Sequence, residues 1–139
     1  MASLTLKGRE IPLLYTTYEM KQIQEEVCPL GDLQYVLFGR AKDAPEDDMS
    51  RFGSPEHLSA LGKTVVIFGN AGLEEAGEAP DLTEKKVLRS LRTPDLVNVI
   101  NACTQAMREG MESEFPDKED EGPVDVTLEE MKKKDGAAG

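Results

Sequence analysis

The sequence is poor in the residues from which catalytic and metal sites are built. Its 139 residues include one histidine, His57, two cysteines, Cys28 and Cys103, and no tryptophan. One histidine cannot supply a site with two histidine ligands, and neither cysteine has a neighbour at metal-ligand spacing. We therefore expect no metal site and no cofactor. His57 stands in the first turn of a predicted helix, where we expect an exposed polar residue rather than a general base.

Long apolar runs and basic residues are also scarce. No segment approaches the roughly 20 apolar residues that a membrane helix needs. The first residues do not have the pattern of a secretory signal, and we expect none. The 16 basic residues face 27 acidic ones, which gives a formal net charge of −11. A chain this acidic repels a phosphate backbone, so we expect neither a nucleic-acid nor a membrane partner. Both thiols lie in apolar helical contexts, and we expect them to be reduced and structural in a cytoplasmic protein.

Two short segments resemble ligand-binding motifs, but each lacks a glycine that its motif requires. The segment Gly62-Lys63-Thr64 resembles the end of a phosphate loop, but His57 stands where that loop needs its first glycine. The acidic residues between 43 and 48 lack the central glycine of a calcium-binding loop. We therefore predict a solvated lysine and a solvated acidic loop, and we assign no catalytic residue.

What is present begins with a predicted β-hairpin that leads into a capped helix. Residues 4–6 and 11–15 are two strand-like runs, and Gly8 between them suits a turn with positive φ. Thr16 and Glu19 stand at capping-box spacing, which predicts a helix start. The apolar residues that follow at helical spacing are Met20, Ile23 and Val27.

A longer central helix is predicted to begin at Ser54, with Pro55 in its first position. Its apolar residues at helical spacing are Leu58, Leu61, Val65 and Phe68. The β-branched run from 64 to 68 would also suit a buried strand, but the stripe that begins before it favours a helix. Residues 69–72, which include two glycines, either break this helix or admit the close approach of another backbone.

Two more helices are predicted, over residues 81–91 and from Thr93 onward. Thr93 is the expected N-cap, followed by Pro94 in the first position and Asp95 in the first turn. The apolar stripe behind them consists of Leu96, Val99, Ile100, Cys103, Met107 and Met111. Methionine at this spacing is typical of core packing, although it also suits an adaptable binding groove. Phe115 and Pro116 are expected to end this helix.

Together these patterns predict a mainly α protein with a small N-terminal β-hairpin, a helical domain of about four to five helices and a flexible acidic C-terminal tail. Residues 1–115 form the predicted domain. Residues 116–139 are a charged linker, a candidate short helix from Thr127 and a disordered end.

Residues 4–10, 15–20 and 81–96 carry a resemblance to a known family. In these segments, and in the order of elements over residues 4–113, the chain resembles the tail assembly chaperones of long-tailed phages and prophages of Gram-positive bacteria. The resemblance implies a non-catalytic protein of the host cytoplasm that binds the tape-measure protein and helps recruit tail-tube subunits. It also implies absence from the finished virion, and it brings no active site with it.

We place the expected partner-binding surface on the last helix, at Leu96, Ile100, Met107 and Met111. The same stripe would also serve self-association, so a homo-oligomer stays open. Two rival functions remain at this point. One is an acidic regulatory protein, or nucleic-acid mimic, that binds a basic partner site. The other is a small enzyme whose site is too dispersed to recognise.

Overall fold

A computed structural model describes residues 1–45 and 48–112 of the chain. Two strands and five helices follow one another in this order: β1 (Ser3–Leu6), β2 (Arg9–Pro12), α1 (Thr17–Glu26), α2 (Leu33–Phe38), α3 (Pro55–Glu75), α4 (Glu84–Arg89) and α5 (Leu96–Met111). Single 3₁₀ turns precede α2 and α5. The predicted mainly α fold with an N-terminal hairpin is therefore confirmed. The predicted linker, final helix and tail, and the helix end at Phe115 and Pro116, lie outside the described residues.

The hairpin is antiparallel, with Ser3 opposite Pro12 and Leu6 opposite Arg9. Its two-residue turn, Lys7–Gly8, has φ values of 50° and 79°, the conformation that matches the right-handed twist of the flanking strands. The second strand covers Arg9–Pro12 rather than residues 11–15. The Leu13 N–H still donates to the Ala2 carbonyl at 2.9 Å, and the chain leaves the hairpin after this bond. Beyond it, the Leu14 N–H donates to the Phe68 carbonyl of α3 at 3.0 Å.

The predicted capping box at the start of α1 is confirmed. The Thr16 N–H donates to the Glu19 carboxylate at 2.8 Å, and the Tyr18 N–H donates to the Thr16 hydroxyl oxygen at 3.3 Å. Because these bonds satisfy amides that no helical carbonyl can reach, the chain turns from the hairpin into α1 at a defined residue.

Helix α3 is the centre of the fold and contacts α1, α2, α4, α5 and β2. Residues 64–68 are helical, so the helical prediction is confirmed and the strand alternative is wrong. The Ser54 hydroxyl oxygen accepts the His57 N–H at 3.2 Å, as expected of an N-cap. The fully buried apolar side chains of this helix are Leu61, Val65, Phe68 and Leu73.

The glycines of α3 do not break it, because the helix continues to Glu75. They instead admit close neighbours, the second of the two predicted alternatives. A β-carbon at Gly69 would lie 2.5 Å from the Leu82 side chain. Between the glycines, the Asn70 amide binds the Leu82 backbone twice, accepting its N–H at 3.0 Å and donating to its carbonyl at 3.2 Å.

The starts of α4 and α5 differ from their predictions. Since Asn70 holds Leu82 in place, α4 begins only after Thr83, whose hydroxyl oxygen accepts the Lys86 N–H at 3.2 Å. Thr93 is not an N-cap but opens a 3₁₀ turn that ends at Asp95. The Asp95 carboxylate accepts the Arg92 N–H at 2.7 Å, which caps this turn from its far end.

Candidate functional site

The predicted partner-binding residues do not share one exposed face. Leu96 and Ile100 are buried in the core, Met107 is half-buried against it, and Met111 is 72% exposed. The stripe of α5 therefore serves mainly to pack the helix onto the rest of the fold, and contacts join α5 to α3, α2 and β1. Of the four residues, only Met111 offers most of its surface to a partner.

A different apolar surface lies where α5 meets the end of α2 and the loop after it. A pocket of about 170 Å³ opens there, and Ile100 is the one predicted residue that lines it. Phe38, Met49 and Val97 stand around it and are 39%, 59% and 56% exposed. Phe52 completes its apolar wall, while Arg40, Asp48 and Asn101 supply polar groups. We call this surface the apolar pocket.

The end of α2 presents Phe38 to the pocket through a left-handed cap. Gly39 has a φ of 68° and its N–H donates to the carbonyls of Tyr35 and Val36. A residue with a side chain is disfavoured there for its φ. It is also excluded by space, because a β-carbon at Gly39 would lie 2.9 Å from Nδ1 of His57.

His57 is buried, 3% exposed, so the prediction of an exposed polar residue is wrong. Its Nε2 lies 2.8 Å from the Leu37 carbonyl oxygen, and its Nδ1 accepts the Gly53 N–H at 2.9 Å. Only the tautomer with a hydrogen on Nε2 satisfies both contacts. The ring thus ties the end of α2 to the turn before α3, and neither ring nitrogen is left to act as a base.

The same ring supports the wall of the apolar pocket. The Phe52 ring packs against His57 with centroids 4.8 Å apart. The Arg40 guanidinium carbon lies 5.9 Å from the ring centroids of both Tyr35 and Phe38, within the range of a cation–π contact. Phe52 is therefore supported by His57, which lies outside the pocket, and Phe38 by Arg40, which lines it.

The thiols are placed for packing rather than for reaction. Cys103 is fully buried on α5, and burial raises the pKa of its thiol to about 12. Burial also raises the pKa of the half-buried Cys28 thiol, with the Asp32 carboxylate adding to the effect. A raised pKa leaves little thiolate, the nucleophilic form, at neutral pH.

Within residues 1–45 and 48–112, no three histidine, cysteine or acidic side chains come together in a way that would hold a metal ion. No helix in this part of the chain has the length and apolar character needed to cross a membrane. Comparisons of the chain with known protein families, with curated proteins and with solved structures found no match.

The residues that form the apolar pocket were missed by sequence reasoning, apart from Ile100. One signal was present in α5. Val97 is a large apolar residue that stands outside the stripe of its own helix, and such a residue has no neighbour inside the fold to cover it. Phe38 likewise stands outside the buried positions of α2, Leu33 and Leu37, but nothing in the local sequence indicated that Phe38 and Met49 would meet Val97 at one pocket.

Proposed function

We propose that this protein is a non-catalytic binder of an apolar helical segment, and that it acts as a phage tail assembly chaperone. Its ligand is then the tape-measure protein, which it holds until tail-tube subunits are recruited. The observation that carries this proposal is the convergence of Phe38, Met49 and Val97 on the apolar pocket. Single exposed apolar side chains are common on protein surfaces, whereas a group of them around one pocket gives an apolar side chain of a partner a place to insert.

The size of the pocket favours a side chain as its occupant. Sites for small organic ligands usually enclose about 300–1,000 Å³, whereas the apolar pocket holds about 170 Å³. A docking helix inserts a few anchoring side chains at i, i+3 or i+4 spacing and covers the surrounding rim. Met49 suits such a rim because its unbranched side chain adapts to partners of irregular shape.

The charge of the chain supports a carrier role. A long helix with an apolar stripe aggregates unless the stripe is covered. A formal net charge of −11 disfavours association of the resulting complexes with each other through like-charge repulsion. The apolar pocket and the acidic surface thus have complementary tasks in this proposal, the first to bind and the second to keep the complex dispersed.

Co-expression with a tape-measure fragment tests the proposal. We expect the fragment to appear in the soluble fraction with this protein and to sediment without it. A second acidic protein of similar size and charge is the control for general solubilisation by charge. If the fragment sediments equally in all three cultures, the chaperone proposal fails.

Self-association through the pocket is the competing use of the same surface. Light scattering over a range of protein concentrations distinguishes it, since a monomer at all concentrations leaves the pocket open to a partner. A stable dimer that the substitution Val97→Asp dissociates would instead assign the pocket to a second copy of the chain.

A further inference from the structure

A second surface, distinct from the apolar pocket, lies where the hairpin turn faces α4. It is a groove of about 470 Å³ between these two elements. The buried residues Leu6, Ile11 and Leu82 supply its apolar part. Four bases, Lys7, Arg9, Lys86 and Arg89, also line it, against one acid, Asp81. We call it the basic groove.

The bases of this groove are only partly neutralised by their neighbours. Arg9 lies 3.1 Å from the Asp81 carboxylate and 3.7 Å from that of Glu78. The Lys86 ammonium donates to the backbone carbonyl of Asp81 at 3.0 Å. No carboxylate of residues 1–45 or 48–112 forms an ion pair with Lys7, Lys86 or Arg89. In a chain with an excess of acid, this concentration of positive charge needs an explanation.

The chain itself contains a segment of matching charge shortly after α5. Residues 117–121 hold four acids and one base. Acidic side chains complement the bases of the groove. A peptide with this composition is the kind of ligand that the groove fits.

The basic groove is within reach of that segment. The Ala2 N–H donates to the Glu109 carboxylate at 2.8 Å, so the start of β1 lies beside the last turn of α5. The groove begins at the other end of β1, at Leu6, which is about 13 Å further along a strand of this length. An extended chain covers that distance in about four or five residues. Residues 117–121 can therefore meet the groove.

We propose that residues 117–121 bind the basic groove of the same chain, with their carboxylates facing Lys7, Lys86 and Arg89. Connection through the backbone raises the effective concentration of this segment to the millimolar range, which favours it over a separate acidic peptide. The proposed contact depends on attraction between exposed carboxylates and bases, so it weakens as the salt concentration rises.

Zero-length carbodiimide cross-linking of the full-length chain tests the proposal. It joins a lysine to a carboxylate that it already touches, and mass spectrometry identifies the pair. We expect Lys7 and Lys86 to link to residues 117–121. Lys21 and Lys42 should link mainly to their own ion-pair partners, Glu25 and Asp32, and links from Lys21, Lys42 or Lys63 to residues 117–121 should be much rarer. Raising the ionic strength to roughly 1 M, where the screening length is about 3 Å, should remove the preference.

Two charge-reversal variants test whether the cross-links depend on the basic groove or on general attraction between lysines and acidic residues. The substitution Arg89→Glu keeps both groove lysines but lowers the positive charge, and we expect a several-fold loss of their links. Arg51→Glu reverses an exposed arginine outside the groove and should leave the links unchanged. Equal linking of all these lysines to residues 117–121, or equal effects of both variants on those links, would overturn the proposal.

Cross-linking a mixture of isotopically light and heavy full-length chains shows whether the acidic segment in the groove belongs to the same chain or to a second copy. Links within light or within heavy chains alone support binding in the same molecule. Links between light and heavy chains would show that a second copy supplies the acidic segment, which also overturns the proposal as stated.

Discussion

Gly72 of α3 lies directly against the backbone of Pro12 at the end of β2. A β-carbon added to Gly72 would be 1.9 Å from the Pro12 carbonyl oxygen and 2.5 Å from its carbonyl carbon. Backbone atoms cannot swing aside as a flexible side chain does. The absence of a side chain at residue 72 therefore sets how closely the hairpin packs on the central helix.

We predict that Gly72→Ala destabilises the protein even though alanine is the better helix former. Alanine gains about 1 kcal/mol over glycine inside a helix, but the hairpin must move to accommodate the methyl group, as in an overpacked core. We expect a net loss of about 1–3 kcal/mol in the free energy of unfolding, measured by urea denaturation. Gly31→Ala is the matched control, because a β-carbon there meets no atom within 4 Å. Equal stability of the two variants would contradict this packing.

The buried His57 supports a second prediction. The substitution His57→Phe preserves a ring but removes both hydrogen bonds, to Leu37 and to Gly53. We expect a loss of about 1–3 kcal/mol in the free energy of unfolding, because the Leu37 carbonyl is left without its partner. Glu56→Gln removes only the charge of the neighbouring exposed residue in the first turn of α3 and should cost less, about 0.3–1 kcal/mol. A His57→Phe variant as stable as the wild type would show that the two bonds contribute nothing.

We expect Glu109, in the last turns of α5, to make a pH-dependent contribution to the free energy of unfolding. Its carboxylate accepts hydrogen bonds from the Gln105 side chain at 3.1 Å and the Ala2 N–H at 2.8 Å, which lower its pKa. Since folding lowers this pKa, the stabilisation by Glu109 is fully present at pH values above the pKa that its carboxyl has in the unfolded chain. It is lost as the pH falls through the lower pKa of the folded state.

The prediction for Glu109→Gln is therefore a difference in Tm that depends on pH. The variant should melt below the wild type at pH 7, and the two should converge as the pH is lowered into the range where the wild-type carboxylate is protonated. Glu75→Gln serves as the control for removing an exposed charge. A difference that grows toward low pH would reverse the sign that we derive.

Much of the fold could be predicted because its signals are local. The Thr16–Glu19 capping box and the start of α3 at Ser54 and Pro55 each depend on residues within four positions of one another. The burial of His57 has no such signal, since its partner Leu37 lies 20 residues away in the chain. The start of α4 was likewise misplaced, because Asn70, 12 residues earlier, holds Leu82.

The candidate site was less predictable than the fold. The apolar spacing in α5 predicted which of its residues are covered by other residues. Leu96 and Ile100 are covered by the core of this chain and are therefore not open to a partner. A stripe of this kind has the same appearance whether it is covered by the chain or by a partner. The apolar pocket depends on tertiary contacts, with Phe38 and Val97 brought together from positions 59 residues apart.

We predict that Val97 contributes to partner binding and not to folding. It is 56% exposed at the mouth of the apolar pocket, so replacing it with aspartate places a charge in the interface without disturbing the core. Asn98→Asp adds the same charge to the next residue of α5, which is exposed and does not line the pocket. Circular dichroism and thermal melting should be unchanged in both variants.

The most direct test of the account is the affinity of these variants for a fluorescently labelled tape-measure helix, measured by anisotropy. We expect Val97→Asp to weaken binding at least about tenfold, a change of about 1.4 kcal/mol. Asn98→Asp should bind as the wild type does. If Val97→Asp binds with wild-type affinity while wild-type binding is readily measured, the apolar pocket is not the partner-binding site and the central claim is wrong.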